Sequence, residues 1–482
     1  MRTRNFYIFS ICLAFLLSAG CSDGGRGEPV TVFVNVNVVP MTSEIILEDQ
    51  AVLVRGDRIE ALGPLDGIRV PGKARVIDGH GAYLMPGLAD MHMHTKDDWN
   101  GPAWPVNPLS LYLANGVTTV RCFGPLGNNP EYVLRWRNQI REGKIPGPTI
   151  YTSGPILYGP VPDPAAKVQK QKEQGYDFVK IYSYVTGEEF TAIIGSAKHE
   201  GIYTAGHIPF LVGLDGVLAG GMDEIAHIEE LDFDFLDLEP DMSKSRAEIF
   251  LDIIDQAASK FKSDLELDSD ALKKQHGKRI RKIADRLKGA DIPVCTTLVV
   301  AEGIVSKLSS FEKFLARPEN RYLPPAYLQI LCLGQEKHQF LFRGHEDLAP
   351  FKNRFERILA EELKRAGVTL VLGTDSGTGG MGIVPGFSIH DELRILTKVG
   401  FTPYEAIRTG TVNASAIVER MIGEGDFGTV EPGKRADLIL VRGNPLEDVA
   451  AIRNPLGVMA AGRWYPREDL EKMIRIDREG AR

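Results

Sequence analysis

Between residues 82 and 372 the chain sets one short apolar run after another, with polar, helix-compatible stretches between them, and this alternation constrains the fold more than any other feature of its 482 residues. The runs are Ala82 to Met91, Thr118 to Cys122, Thr149 to Ser153, Phe178 to Tyr182, Ile202 to Ala205, Glu224 to Ala226, Pro293 to Val299 and Thr369 to Leu372. Strands alternating with helices predict a parallel sheet covered by helices, because parallel neighbours need a long crossover between them. Eight such units predict an α/β fold of the (β/α)8, TIM-like barrel type. In that architecture reacting groups sit at the C-terminal ends of the strands, so the residues at or just after each run carry the functional information.

The flanks read differently. Short β-rich runs occur at Val30 to Val39, Ala51 to Arg55, Arg58 to Leu62 and Ala74 to Ile77, with Gly56-Asp57 as a hairpin signal, and again at Ala436 to Arg442 and Gly457 to Tyr465. Residues 30–80 and 425–466 are therefore expected to pair into a small composite β-sandwich, leaving 81–424 for the barrel. The stretch from Glu229 to Lys288 is too long for an ordinary connection, and it divides into an acidic part and a basic helical part. It reads as an insertion after the sixth strand, at about 229–288, forming a solvated helical hairpin that decorates the barrel.

At the N-terminus Arg2 and Arg4 precede an apolar run from Phe6 to Leu17, followed by Ser18, Ala19, Gly20 and Cys21. A run this short does not comfortably span a bilayer, and its flanks predict a cleaved export signal over 1–20. The small residues before Cys21 resemble a bacterial lipobox, although Ser18 stands where an aliphatic residue is usual. That resemblance implies lipidation of Cys21, a flexible tether over 21–29, and an exported, membrane-anchored protein on the periplasmic or cell-surface side. The net charge of −8 argues against a nucleic-acid partner, which needs a basic surface. With Cys12 and Cys21 assigned to the signal, Cys122, Cys295 and Cys332 remain, an odd and scattered set that predicts no disulfide scaffold.

The strongest local signal is Pro86-Gly87-Leu88-Ala89-Asp90-Met91-His92-Met93-His94, an apolar run ending in two histidines separated by one residue. Alternate side chains of a strand point the same way, so His92 and His94 can offer two imidazoles to one cation. Four further polar groups lie in or just after other predicted strands: Lys180, His207, His227 and Asp375. Packing does not explain six ligand-type residues at one end of a barrel, because unpaired histidine, lysine and aspartate are costly to bury. Tyr182 and Tyr184, beside Lys180, are placed to contact substrate. His80, His199, His276, His338 and His345 fall in loops or polar helices and read as solvated or structural, and His390 as a packing or capping residue.

From about Val30 to Tyr465 the chain resembles the amidohydrolase superfamily, most closely its imidazolonepropionase-like and prolidase-like branch. Besides the metal-type residues, the resemblance rests on Gly116-Val117-Thr118-Thr119-Val120-Arg121, Gly147-Pro148, Ser153-Gly154-Pro155, Gly373-Thr374-Asp375-Ser376-Gly377 and the closing stretch Gly428 to Leu438. It implies one or two divalent metal ions, zinc being the default, with His92, His94 and Asp375 on the first and His207 and His227 on the second. It also implies that Lys180 bridges the ions as a carbamate and that Asp375 shuttles a proton from the attacking water to the departing nitrogen. Relatives often carry aspartate where Cys122 stands, a departure that leaves the ligand set untouched. The activity so implied is hydrolysis of non-peptide carbon–nitrogen bonds in a small-molecule substrate, such as a linear or cyclic amide. An Xaa-Pro-type dipeptidase is the nearest rival, and a surface-anchored binding protein with an inactive barrel is the third reading.

Overall fold

The computed structural model describes residues 28–101, 104–378 and 380–476, so the expected export signal, Cys21 and all but the last two tether residues lie outside the described residues. Strands β1 (Val30–Val38), β2 (Leu47–Arg55), β3 (Arg58–Gly63), β4 (Arg75–Asp78) and β5 (Tyr83–Pro86) belong to the N-terminal part. Gly56, at φ 58°, supplies the left-handed residue that turns β2 into β3. Near the other end lie three more strands, Leu438–Val441, Gly457–Ala460 and Arg463–Pro466. The first of these pairs antiparallel with β5, so both ends of the chain form one eight-stranded sheet, branched at β1, where a composite sandwich is expected. Phe33, Val52, Leu84, Leu438 and Met459 pack together on it.

The expected strand Ala82 to Met91 divides at Gly87. β5 stays with the terminal sheet, while β6 (Leu88–Met93) opens the second set of strands. A Cβ at Gly87 would lie 2.1 Å from Thr118 Oγ1, so only glycine lets the chain pass between the two sheets here. The second set continues with β7 (Val117–Cys122), β8 (Thr149–Thr152), β9 (Phe178–Ile181), β10 (Tyr203–Gly206), β11 (Glu224–Ile225), β12 (Val294–Cys295) and β13 (Leu370–Val371). The three terminal strands are then β14, β15 and β16 in chain order. β6 to β8 form one parallel sheet and β9 to β13 another. Parallel bridges Ser153↔Phe178 and Met93↔Ser376 link the two at both margins, so neighbour follows neighbour from β6 to β13 and back to β6. The fold is mixed α/β with parallel sheets and helices between the strands.

The seventh predicted strand, Pro293 to Val299, is much shorter in the structure. Thr297 takes a φ of 45°, and a helix, Val299–Leu315, begins where strand was expected. The Glu392 carboxylate accepts from the backbone N–H groups of Leu298 and Val299 at 3.0 and 2.7 Å, capping that helix start from a distant helix. After β11 come a 3-10 turn, Ile228–Phe235, and helices Arg246–Lys260 and Ser269–Gly289. After β12 comes a second excursion, with helices Val299–Leu315, Pro325–Leu341 and Leu348–Ala366, which the strand spacing did not announce. No helix among the described residues is long and apolar enough to cross a membrane.

Candidate metal centre

His92 sits within β6 and His94 just past its end, His207 follows β10, His227 follows β11, Asp375 follows β13, and Lys180 lies in β9. All six therefore lie at or near the C-terminal ends of parallel strands. Asp375 is the hub: its Oδ1 is 3.2 Å from His94 Nε2 and 3.5 Å from His92 Nε2. One ligand atom each from His92, His227 and Asp375 lies within 4.8 Å of the others. The rings of His92 and His227 are 4.3 Å apart, and those of His207 and His227 are 4.9 Å apart. Asp375 is held in the left-handed region at φ 57°, a conformation uncommon outside glycine, and its N–H donates to His92 O at 2.7 Å.

Each imidazole is fixed through the same nitrogen. His92 Nδ1 lies 3.1 Å from Ala226 O, and His94 Nδ1 lies 3.0 Å from Gly124 O. A carbonyl can only accept, so both rings carry their proton on Nδ1 and present the Nε2 lone pair. His227 Nδ1 meets Thr297 Oγ1 at 2.9 Å, while His207 Nδ1 meets Ser183 Oγ at 3.1 Å and Glu230 Oε1 at 2.5 Å. Burial drives the His92 and His207 pKa values well below the usual imidazole range and pushes that of His227 down to about 3, which keeps the rings neutral. Neutral imidazole is the form that ligates a cation.

Lys180 is 1% exposed, with its Nζ 4.7 Å over the Phe123 ring that stacks on His92. Burial pulls its pKa down to about 8, against the opposing pull of Asp375 and Glu230. Among the described residues, Lys180 Nζ and His92 Nε2 are buried with no hydrogen-bond partner. Two orphaned nitrogens inside one constellation of imidazoles and a carboxylate are costly unless something else engages them, and the donor set suits a divalent transition metal.

A model of the amidohydrolase family matches residues 266–465. Adenine deaminase from Chelativorans sp. is 34% identical over 98 residues, 20% of this chain and 16% of that one. Ochratoxinase from Aspergillus niger is 36% identical over 95 residues, 20% of this chain and 18% of that one. The chain thus spans less than a fifth of the length of these curated relatives. The crystal structure of a putative prolidase from Bifidobacterium longum superposes with a TM-score of 0.60 at 22% identity, covering 93% of this chain and 98% of that one, a likeness of fold. Over residues 266–465 this chain is similar to the amidohydrolase family.

Several supporting residues of the centre were given no role in the sequence. Asp90, two residues before His92, accepts from Thr374 Oγ1 at 2.6 Å and Thr374 N at 3.1 Å, tying β6 to the turn that carries Asp375. Burial raises its pKa to about 7. Glu230 stands in the acidic stretch first read as decoration, yet it reaches back to His207, and burial together with Glu229 raises its pKa to about 8. Beneath the site, Arg121 and Glu224 form a fully buried bidentate pair, and Arg121 Nε donates to Met91 O at 2.9 Å. The Asp-x-His-x-His spacing hinted at Asp90, and Arg121 closes the stretch Gly116 to Arg121, whereas nothing local marked Glu224 or Glu230, whose partners lie elsewhere in the fold.

Tyr182 stands 4.2 Å ring to ring from His207, and Tyr184 packs beside it at 5.9 Å. Cys122 is buried against Thr95, and Cys122, Cys295 and Cys332 are free thiols. His276 and His345 pair with Asp264 and Asp255, His80 and His199 are exposed, and His338 and His390 are buried in helices away from the six groups.

Proposed function

We propose that the chain is a metal-dependent amidohydrolase acting on carbon–nitrogen bonds other than those of peptides, such as linear or cyclic amides. The observation that carries this reading is the set of four imidazoles, each pinned at Nδ1 by an oxygen, gathered with Asp375 and the unpartnered Lys180. The two parallel sheets, bridged at both margins, are read as one (β/α)8 barrel, with the terminal sheet as its accessory domain. His92, His94 and Asp375 would hold one ion, His207 and His227 a second, and Lys180 would bridge them once carbamylated. A divalent cation there, zinc by donor type, would supply acidified water and a polarised carbonyl.

The chain's own groups do the rest. Asp375, 16% exposed at its side chain, is the group to take a proton from the attacking water and deliver it to the leaving nitrogen, which departs poorly as an anion. Its left-handed backbone, tied to His92 O, fixes that carboxylate against both β6 histidines. Tyr182 and Tyr184 line the approach. The relatives' names, adenine deaminase and ochratoxinase, agree with a small-molecule carbon–nitrogen substrate. Export and lipid anchoring through Cys21 remain part of the proposal on the N-terminal sequence.

One observation favours the Xaa-Pro-type dipeptidase as a second reading. A dipeptidase needs a cation for a free carboxylate, and Arg246 lies 5.0 Å from each of the Tyr158 and Tyr184 rings while no carboxylate pairs with it among the described residues. Rates measured across linear amides, cyclic amides and imides, and an Xaa-Pro library, with metal-reconstituted protein, separate the two. Turnover confined to dipeptides would replace the first reading by the second, and no turnover in any class would remove both.

A further inference from the structure

A cavity of about 160 Å³ opens beside the metal centre, and the proposed chemistry gives no role to the space beyond Tyr182, His207 and Glu230 at its edge. Its inner end is polar, formed by Tyr182, His207 and Glu230. Its walls are mainly apolar and aromatic, among them Phe210, Phe233, Ile253, Phe261, Phe342 and Phe351, with the mutually paired Lys352, Glu229 and Asp232 as a charged patch between them. Ile253 and Phe261 come from the excursion after β11, whereas Phe342 and Phe351 come from the excursion after β12. Both excursions thus converge on a single hollow that begins at a ring of the centre, which a decorative hairpin has no reason to do. Phe250, 37% exposed, stands at its rim.

The volume decides what fits. An apolar cavity of about 150 Å³ holds one benzene ring, so this one takes a single six-membered ring or a leucine-sized group and is too small for a fused bicycle. We infer that this cavity is the specificity pocket of the centre, taking an apolar, ring-sized group borne beside the scissile carbon–nitrogen bond. The inference rests on the hydrolase reading above and adds the class of substrate to it.

The test uses the full metal-loaded chain in two measurements. Calorimetric titration with benzyl alcohol, an unreactive ring, reads the pocket alone. Values of kcat/KM for amides differing only in a benzyl group or a hydrogen beside the scissile bond, on the acyl side in one series and the amine side in the other, read the pocket in catalysis. The wild type is expected to bind benzyl alcohol and, in one series, to prefer the benzyl amide by at least about tenfold. Ala257→Phe, which points a ring into the cavity from helix Arg246–Lys260, should abolish both while the small amide turns over as before. Phe250→Ala, at the exposed rim and so safe for folding, should admit a naphthyl amide that the wild type rejects. Equal rates for small and benzyl amides in both series, with no benzyl alcohol bound, would overturn the pocket and leave the hydrolase reading standing. Benzyl alcohol bound with neither amide cleaved would support the ring site, and would overturn the hydrolase reading if cyclic amides, imides and dipeptides were also left uncleaved.

Discussion

The Arg121–Glu224 pair under the site allows a stability prediction with a worked size. Both side chains are completely buried, with Arg121 Nη1 2.7 Å from Glu224 Oε2 and Tyr203 OH donating to Glu224 at 3.2 Å. Glu224→Gln keeps the shape and opens no cavity, so its cost isolates the charge. Opposite charges about 4 Å apart at an effective dielectric of about 20 attract by about 4 kcal/mol. Breaking one buried pair from one side typically costs about 3–5 kcal/mol, because the surviving charge is left without a partner. The Phe123 ring, 4.6 Å from the guanidinium, recovers only a small part of that. Urea unfolding followed by circular dichroism should therefore show Glu224→Gln destabilised by about 3–5 kcal/mol, with Arg121→Met/Glu224→Leu recovering most of it. A loss under about 1 kcal/mol in Glu224→Gln would refute the reasoning, since it would mean the pair is not desolvated as the structure has it.

Three other outcomes follow from the geometry. Asp375→Asn should lower turnover by at least about 100-fold in steady-state assays on any amide the wild type cleaves, because the proton route is lost. Glu230→Ala should weaken metal affinity by about 10–100-fold in chelator competition, since the carboxyl group that orients His207 is gone. Glu392 is fully buried and its pKa is raised from 4.5 to about 7, chiefly by burial, so the folded state holds its proton where the unfolded state has released it. Wild-type stability relative to Glu392→Gln should then be greatest below pH 4.5 and fall by about 3 kcal/mol as pH rises to about 7, read from unfolding curves at each pH.

The parts of this structure that are legible in the sequence are those written locally. Short apolar runs ending in His92 and His94, or just ahead of His207, His227 and Asp375, mark both a strand and the side chain at its end. Boundaries set by tertiary contacts are not written there. Gly87 divides one continuous apolar run because Thr118 leaves no room for a Cβ, and Val299 enters a helix because Glu392, 93 positions away, caps it. The same holds for Glu230 and Glu224, which look like ordinary acidic residues until the fold sets them against His207 and Arg121. The second helical excursion escaped notice because its apolar residues pack inward against the first, a pattern that helical periodicity alone assigns equally to barrel helices.

The central claim is that six distant side chains form one cation-binding centre, and metal analysis of the purified chain tests it most directly. Wild-type protein should carry one or two equivalents of a divalent transition metal, and His92→Ala/His227→Ala should carry none while its far-UV circular dichroism is unchanged. Equal metal content in both proteins, or a well-folded wild type that takes up no metal from a zinc-containing buffer, would contradict it.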